Sequence, residues 1–122
     1  MTILKGIYGA MCTPFQESGE GIDLKRYHSH IDDLLEAGVH GLVLCSGTGE
    51  YAYLTDDEKQ TLITEGVKHI NGRCNTIAQT TALSTTELYQ QSKGCRRCRC
   101  NCNNGYASFF GTTLRTWSNL SL

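Results

Sequence analysis

Long hydrophobic runs are lacking from this 122-residue sequence. Its longest apolar runs are short, such as Gly41 to Cys45. A transmembrane helix needs about 20 consecutive apolar residues, so no segment predicts one. The N-terminal residues also lack the apolar core and cleavage site of a secretory leader, and we therefore expect a cytoplasmic protein. A net charge of −1 provides no field that would attract nucleic acid or an anionic membrane to the chain as a whole.

An even number of cysteines is lacking as well, because the chain has seven. Cytoplasmic thiols are kept reduced, and an odd count argues further against a closed disulfide framework. We therefore expect free thiols in a globular domain, the class indicated by 39% apolar and 19% charged residues.

Acidic residues are missing from the last part of the chain, since all twelve Asp and Glu lie before residue 94. Residues 94–122 contain four Arg and four of the seven Cys but no Lys. Hydrophobic periodicity is also lost there. We therefore divide the chain into a domain at residues 1–93 and a tail at residues 94–122, for which we expect no fold.

Apolar runs predict three strands in the domain, at about residues 7–12, 41–45 and 75–79. The second run does not alternate with polar residues, which is typical of a strand covered on both faces in a parallel sheet. Helical segments separate the strands, so the order is βαβαβα. Such crossovers leave two main architectures, an open doubly wound sheet or a (β/α) barrel.

Capping signals predict where the helices begin and end. Asp23 precedes the first helix, and Gly38 stands where a left-handed C-terminal cap belongs. Ser/Thr-x-x-Glu capping boxes begin the second helix at Thr55 and the third at Ser84. The expected buried stripes are Leu24, Tyr27, Ile31, Leu34 and Leu35 on the first helix, and Leu62, Ile63, Val67 and Ile70 on the second.

The segment CSGTGEYAYL, residues 45–54, has the composition of a ligand-binding loop. Gly47 and Gly49 let the backbone approach a ligand closely, Ser46 and Thr48 offer hydroxyls, and consecutive amides in such a turn form an anion-binding concavity. A carboxylate or a phosphate would fit. No Lys follows the glycines as in a Walker loop, and the G-x-G-x-x-G dinucleotide motif is not met. The alternative is a tight βα turn whose two tyrosines are packing residues.

Three stretches resemble one protein family in their order and spacing: GIYGAMCTPF, AGVHGLVLCSGTGEYAYLTDDEK and IAQTTALSTTE. This family contains dihydrodipicolinate synthase and N-acetylneuraminate lyase, and the resemblance covers residues 6–93. It implies an α/β fold made of the N-terminal three βα units of a (β/α)8 TIM barrel. It also implies pyruvate-dependent class I aldolase or lyase chemistry without a cofactor, in which a lysine forms a Schiff base with a 2-oxo acid.

The resemblance also assigns a role to the glycine-containing loop. In the family this loop binds the carboxylate of the 2-oxo acid through amides and hydroxyls, and the matching positions are Ser46, Gly47, Thr48, Gly49 and Glu50. Ser46 stands where the family has Gly, and Gly47 replaces the first hydroxyl residue of the family motif. One hydroxyl is therefore displaced or lost, which bears on the substrate subclass.

The family's catalytic groups lie beyond the matched segment. Its Schiff-base lysine is on strand six and its proton-transferring tyrosine on strand five, and a whole barrel takes about 250 residues. The lysines that match neither position are Lys5, Lys25, Lys59, Lys68 and Lys93. We therefore assign no catalytic residue and expect a truncated, inactive family member. Family members are oligomeric, but we do not expect this fragment to assemble.

The tail segment GCRRCRCNCNN, residues 94–104, has two alternative interpretations as a binding element. Cysteines at every second position would strain a single zinc tetrahedron, so we assign no metal ligands. No nucleic-acid-binding motif organises its arginines, and we expect no nucleic-acid partner. A non-enzymatic module whose Cys- and Arg-rich tail binds metal or nucleic acid remains the alternative to the enzyme family.

On the first helix, His28 and His30 face different ways, and we interpret them as surface or boundary residues rather than a metal pair.

A shift of reading frame accounts for the tail's composition. If one extra base entered the gene near codon 94, each original codon combines the last two bases of a present codon with the first base of the next. Codon choice then permits A-A-E-G-A-D-A-I-V-I-M-A-M-P-P from residue 94 onward. This string is similar to the family's A-G-A-D-A segment, apolar fourth strand and P-P pair. We therefore interpret residues 94–122 as out-of-frame translation of an aldolase gene.

Overall fold

Three parallel strands form one sheet in the computed structural model, which describes residues 5–79 and Thr86. In chain order the elements are β1 (Tyr8–Ala10), α1 (Leu24–Glu36), β2 (Gly41–Leu44), two 3-10 turns (Gly47–Gly49 and Tyr51–Tyr53), α2 (Asp56–Ile70) and β3 (Asn75–Ala78). The sheet order is β1-β2-β3, with Gly41 of β2 in register with Tyr8 on one side and Asn75 on the other. The predicted βαβαβ order is thus confirmed over these residues.

The predicted strands are present but shorter than the apolar runs. The second ends at Leu44 because Cys45 has a left-handed backbone, with φ of 54°. The first ends at Ala10, although the Met11 amide still donates to the Val43 carbonyl at 3.0 Å. The helix predicted from Ser84 lies outside the described residues except for Thr86, which is helical.

Helix α1 has the predicted caps at both ends. The Asp23 carboxylate accepts a hydrogen bond from the Arg26 amide at 3.0 Å, which satisfies a free donor of the first turn. At the C-terminus Gly38 has φ of +85°, its amide donates to the Leu35 carbonyl at 3.1 Å, and the Val39 amide reaches back to an earlier carbonyl. These two bonds form a Schellman motif, which requires the left-handed residue.

Helix α2 begins at the predicted capping box. The Thr55 hydroxyl accepts from the Glu58 amide at 3.2 Å, and the Glu58 carboxylate accepts from the Thr55 amide at 2.8 Å. Asn71, with φ of 47°, caps the other end. Acidic residues in the first turn and Lys68 and His69 in the last complement the helix dipole.

The core lies between the sheet and the two helices. Its largest fully buried side chains are Tyr27, Met11, Ile31, Leu42, Leu44, Leu62 and Ile70. The sequence stripes did not include Gly66, yet Gly66 is buried, and a Cβ there would lie 2.9 Å from both Leu44 Cδ1 and Tyr27 Oη. The Tyr27 hydroxyl donates to the Leu62 carbonyl at 3.2 Å, and burial raises the pKa of this phenol. Helix α2 therefore approaches β2 closely at a glycine.

The two remaining predictions concern the tail and the absence of a transmembrane helix. The tail predicted for residues 94–122, including the Cys- and Arg-rich segment, lies outside the described residues. Within the described part of the chain, no helix is long and apolar enough to cross a membrane.

Candidate functional site

The candidate site lies where strands β1 and β2 end. The loop of residues 46–50, here called the anion loop, follows β2 directly, and Thr13 follows β1. The carboxyl ends of parallel strands are where α/β folds assemble their sites, because the loops of neighbouring strands meet there. The predicted loop thus lies at the end of the sheet where α/β folds usually have their sites.

The anion loop is a single turn of 3-10 helix preceded by an extended residue. Ser46 has φ of −81° and ψ of −178°, and its carbonyl accepts from the Gly49 amide at 3.0 Å. The Glu50 amide donates to the Gly47 carbonyl, also at 3.0 Å. These two bonds define the turn.

Left-handed residues flank the turn on both sides. Cys45 has φ of 54° and Glu50 has φ of 57°, and neither is glycine. Such conformations cost of order 1–3 kcal/mol each and persist only where surrounding contacts impose them, most often at ligand sites. The loop shape is therefore held by its neighbours rather than preferred locally.

Three consecutive backbone amides lie at the start of the turn. The N–H groups of Ser46, Gly47 and Thr48 donate to no other group within the described part of the chain. Amides at the N-terminal end of a helical turn have no acceptor within that turn, and their partial positive charge attracts anions. Gly47 and Thr48 are exposed, so an anion could reach them from solvent.

The side chains of the anion loop differ in accessibility. Thr48 and Glu50 are exposed, whereas Ser46 is only 8% exposed and its Oγ has no hydrogen-bond partner among the described residues. Ser46 carries a hydroxyl one position before the first hydroxyl residue of the family motif, and this hydroxyl is buried. Thr48 carries the exposed hydroxyl of the loop.

The two glycines serve different purposes. Nothing within 4 Å would meet a Cβ at Gly47, whereas a Cβ at Gly49 would lie 2.9 Å from the Met11 carbonyl oxygen and 3.2 Å from Thr13 Oγ1. Gly49 is therefore required for contact with the chain after β1. Close approach of a ligand, which the sequence predicts for both glycines, stays a prediction for Gly47, where the space beside the backbone is open.

The alternative that both tyrosines pack is wrong for one of them. Tyr53 is 86% exposed, while Tyr51 is half-buried and burial raises the pKa of its phenol. Both lie in the second 3-10 turn, directly after the anion loop.

Thr13 lies at the candidate site, although the sequence did not predict it. Its hydroxyl donates a 2.6 Å hydrogen bond to the Gly49 carbonyl, 36 positions along the chain. The signal available in the sequence was its place at the end of the first strand, immediately before the chain's single proline, Pro14. A threonine alone at a strand end does not indicate its partner.

A second polar cluster joins α1 to α2 away from the anion loop. The rings of His28 and His69 stack with centroids 4.3 Å apart, and His69 Nε2 lies 3.0 Å from both carboxylate oxygens of Asp32. Arg73 Nη2 donates to the same carboxylate at 3.1 Å. The His69 hydrogen bond, with help from Arg73, holds the pKa of Asp32 below its ordinary value. His28 and His30 are boundary residues, as predicted, and no group of three potential ligands among the described residues could hold a metal ion.

Comparison with known proteins identifies related sequences and folds. The sequence model of the dihydrodipicolinate synthetase family matches residues 3–102, which extends a short way past Lys93. The 4-hydroxy-tetrahydrodipicolinate synthase of Methanoculleus marisnigri is 35% identical over 95 residues, which are 77% of this chain and 33% of that protein. The chain therefore spans about a third of the length of the curated relatives it matches.

Solved structures show the same relationship. A crystal structure of dihydrodipicolinate synthase is 32% identical with a TM-score of 0.76, and the match covers 80% of this chain and 33% of that one. A prophage protein of the dihydrodipicolinic acid synthase family from Escherichia coli K12, solved with pyruvate, is 24% identical with a TM-score of 0.77, covering 81% and 33%. At that identity the second likeness supports the fold alone.

Proposed function

The chain belongs to the dihydrodipicolinate synthetase family, and from that membership we propose that its anion loop is the part of a Schiff-base lyase that binds the carboxylate of a 2-oxo acid. The fold agrees with this origin: the βαβαβ arrangement matches about a third of a TIM-barrel protein of the family. The proposal concerns what this third contributes to the reaction of a complete barrel.

One observation supports the assignment most strongly. The amides of Ser46, Gly47 and Thr48 form a row of donors at the end of a parallel strand, and none of them has an acceptor among residues 5–79. A carboxylate accepts hydrogen bonds only, and bonds between backbone amides and an ionised acceptor are stronger than neutral ones. A 2-oxo acid held there by its carboxylate has its adjacent carbonyl carbon fixed in place, which favours attack by an amine.

The hydroxyl pattern points to recognition dominated by the backbone. Gly47 has no side chain and the Ser46 hydroxyl is buried, so Thr48 supplies the exposed hydroxyl of the loop. Backbone donors bind the carboxylate but do not select for the remainder of the substrate. Pyruvate is a small 2-oxo acid that meets this requirement, and we take it as the probe ligand.

We assign no Schiff-base lysine to this chain. Lys59 is the lysine nearest in sequence to the anion loop; it lies on α2, and its amine pairs with the Asp56 carboxylate at 3.5 Å. None of the five lysines matches the strand-six position implied by the family resemblance. The chain as given is therefore proposed to bind a 2-oxo acid without turning it over, and its tail to be out-of-frame translation. A cytoplasmic location accompanies this proposal, since the free thiols Cys12, Cys45 and Cys74 suit a reducing compartment.

Titration of the ¹⁵N-labelled chain with pyruvate tests the proposal. We expect amide shifts concentrated at Ser46, Gly47 and Thr48, and no comparable response to pyruvamide, which has the same carbonyl but no carboxylate. Thr48→Val should weaken the response about threefold to tenfold through loss of one hydrogen bond. Thr64→Val removes an exposed hydroxyl on α2 and serves as the control. Shifts spread evenly over the chain, or equal shifts with pyruvamide, would reject the anion loop as a carboxylate site.

A further inference from the structure

We propose that Thr13 is a positioning residue that holds the anion loop in its ligand-binding shape by fixing the carbonyl of Gly49. The expected effect of Thr13 on ligand binding rests on the proposed function. The ordering of the anion loop by Thr13 rests on contacts within the chain. The bond from Thr13 Oγ1 to the Gly49 oxygen is 2.6 Å long and partly buried. It joins the segment after β1 to the turn after β2, so it crosses between two neighbouring strand ends.

The neighbours of Thr13 preorganise this bond. A residue before proline is restricted to extended conformations, because the proline Cδ clashes with a helical backbone. Pro14 therefore limits the directions from which the Thr13 side chain can project. The β-branched side chain has few rotamers of its own, so little entropy is lost when the hydroxyl is fixed.

Gly49 completes the contact from the other side. It is buried, with the Met11 carbonyl in the space that a Cβ would occupy. The anion loop is thus pressed against the chain after β1 at one residue and tied to it by one hydrogen bond. Both contacts act on the last residue of the turn.

The bond from Thr13 to Gly49, here called the clamp, is one of the contacts that can hold the strained residues on either side of the turn. Cys45 and Glu50 adopt left-handed conformations that have to be imposed by other contacts. Without the Thr13 bond, the turn could relax toward more favourable backbone angles. The amides of Ser46, Gly47 and Thr48 would then lose the arrangement that they have in the turn, although Thr13 is not among the residues that we propose bind the carboxylate.

Solvent exchange of individual amides measures the clamp in the ligand-free 122-residue chain. In Thr13→Val, which keeps the shape and removes the hydroxyl, we expect the Gly49 and Glu50 amides to exchange about threefold to tenfold faster. The Lys59 and Asn71 amides, bonded within α2, should keep their rates. Thr13→Ser restores the donor and should behave as wild type, and Thr64→Val controls for loss of a hydroxyl elsewhere.

Pyruvate then tests the consequence for binding. Thr13→Val should lower the pyruvate affinity several-fold while Thr13→Ser retains it. Unchanged exchange at Gly49 in Thr13→Val, equal effects of Val and Ser, or uniform acceleration over the whole chain would each overturn the clamp. If wild type shows no response to pyruvate, the proposed function fails, whereas the exchange rates still decide whether Thr13 orders the loop.

Discussion

The side-chain amide of Asn75 donates a 3.1 Å hydrogen bond to the phenol oxygen of Tyr8, across the strand that separates them. The two residues stand in register on either side of Gly41. The Tyr8 ring occupies the space that a Cβ at Gly41 would take. A missing side chain in β2 thus permits a direct bond between β1 and β3.

The first prediction concerns Gly41, whose missing side chain leaves room for the Tyr8 ring. Gly41→Ala should destabilise the fold by about 1–3 kcal/mol, because the new methyl group overlaps the Tyr8 ring and meets the Asn75 carbonyl at 2.9 Å. Gly9→Ala, on the adjacent strand, is the control, since its Cβ would lie 3.4 Å from leucine side chains that can adjust. Urea unfolding followed by circular dichroism gives the comparison. Equal midpoints for the two variants would contradict the overlap.

Signals confined to a few residues were predictable from the sequence. The Asp23 cap, the Thr55 and Glu58 capping box and the Gly38 terminator each involve partners within five positions, and all three are present. Their geometry is set by the helix itself, so composition and spacing suffice to identify them.

Contacts that depend on register or helix packing were not predictable from the sequence. Tyr8 and Asn75 are 67 positions apart, and Thr13 and Gly49 are 36 apart. The stacking of His28 on His69 similarly depends on how α1 and α2 cross. A sequence pattern marks which face of an element is buried, but it does not determine which residues of two buried faces meet.

The acidic side of the pH range provides the second prediction. His69, and after it Arg73, lowers the pKa of Asp32 in the folded chain. A carboxyl of this kind stabilises the fold at pH values above its unfolded pKa of about 4, and that contribution is lost as the pH falls through the lower, folded pKa. Asp32→Asn should therefore lower the thermal midpoint at pH 7, and the difference from wild type should vanish at strongly acidic pH.

The neighbouring carboxylate controls for charge in this experiment. Asp33 is also exposed on α1 but makes no ion pair within residues 5–79. Asp33→Asn should leave the midpoint and its acid dependence close to wild type. A difference between Asp32→Asn and wild type that stays constant from pH 7 to pH 2 would assign the effect to packing rather than to ionisation.

Thiol reactivity provides the third prediction. Burial raises the pKa of Cys45 from 9.0 to about 12, whereas Cys12 is exposed. At pH 8 the thiolate fraction of Cys45 is then roughly a thousandfold below that of an ordinary thiol. Among the three cysteines that the structure describes, iodoacetamide should label Cys12 first and Cys74, which is half-buried with a raised pKa, more slowly. Cys45 should react only after denaturant is added, as peptide mass spectrometry can show.

Cys45 also reports on the anion loop, because it is the residue directly before Ser46. If the loop opens readily, Cys45 becomes accessible without global unfolding. Labelling of Cys45 at the rate of Cys12 in native buffer would therefore contradict both its burial and the closed shape of the loop.

The last prediction concerns covalent chemistry. Pyruvate forms a Schiff base only with a deprotonated amine held beside its carbonyl carbon, and none of the five lysines matches the position from which the family supplies that amine. Borohydride added in the presence of pyruvate should therefore leave the mass of this chain unchanged. The matched comparison is a gene with one base removed near codon 94, so that translation continues in the alternative frame. If the tail arose by an inserted base, that product should read into the family's A-G-A-D-A segment and onward through the remaining strands, and it should gain one pyruvate-derived adduct per chain. A stoichiometric adduct on any lysine of the 122-residue chain would overturn its proposed inactivity, and a downstream DNA sequence with no family segment in any frame would overturn the origin proposed for its tail.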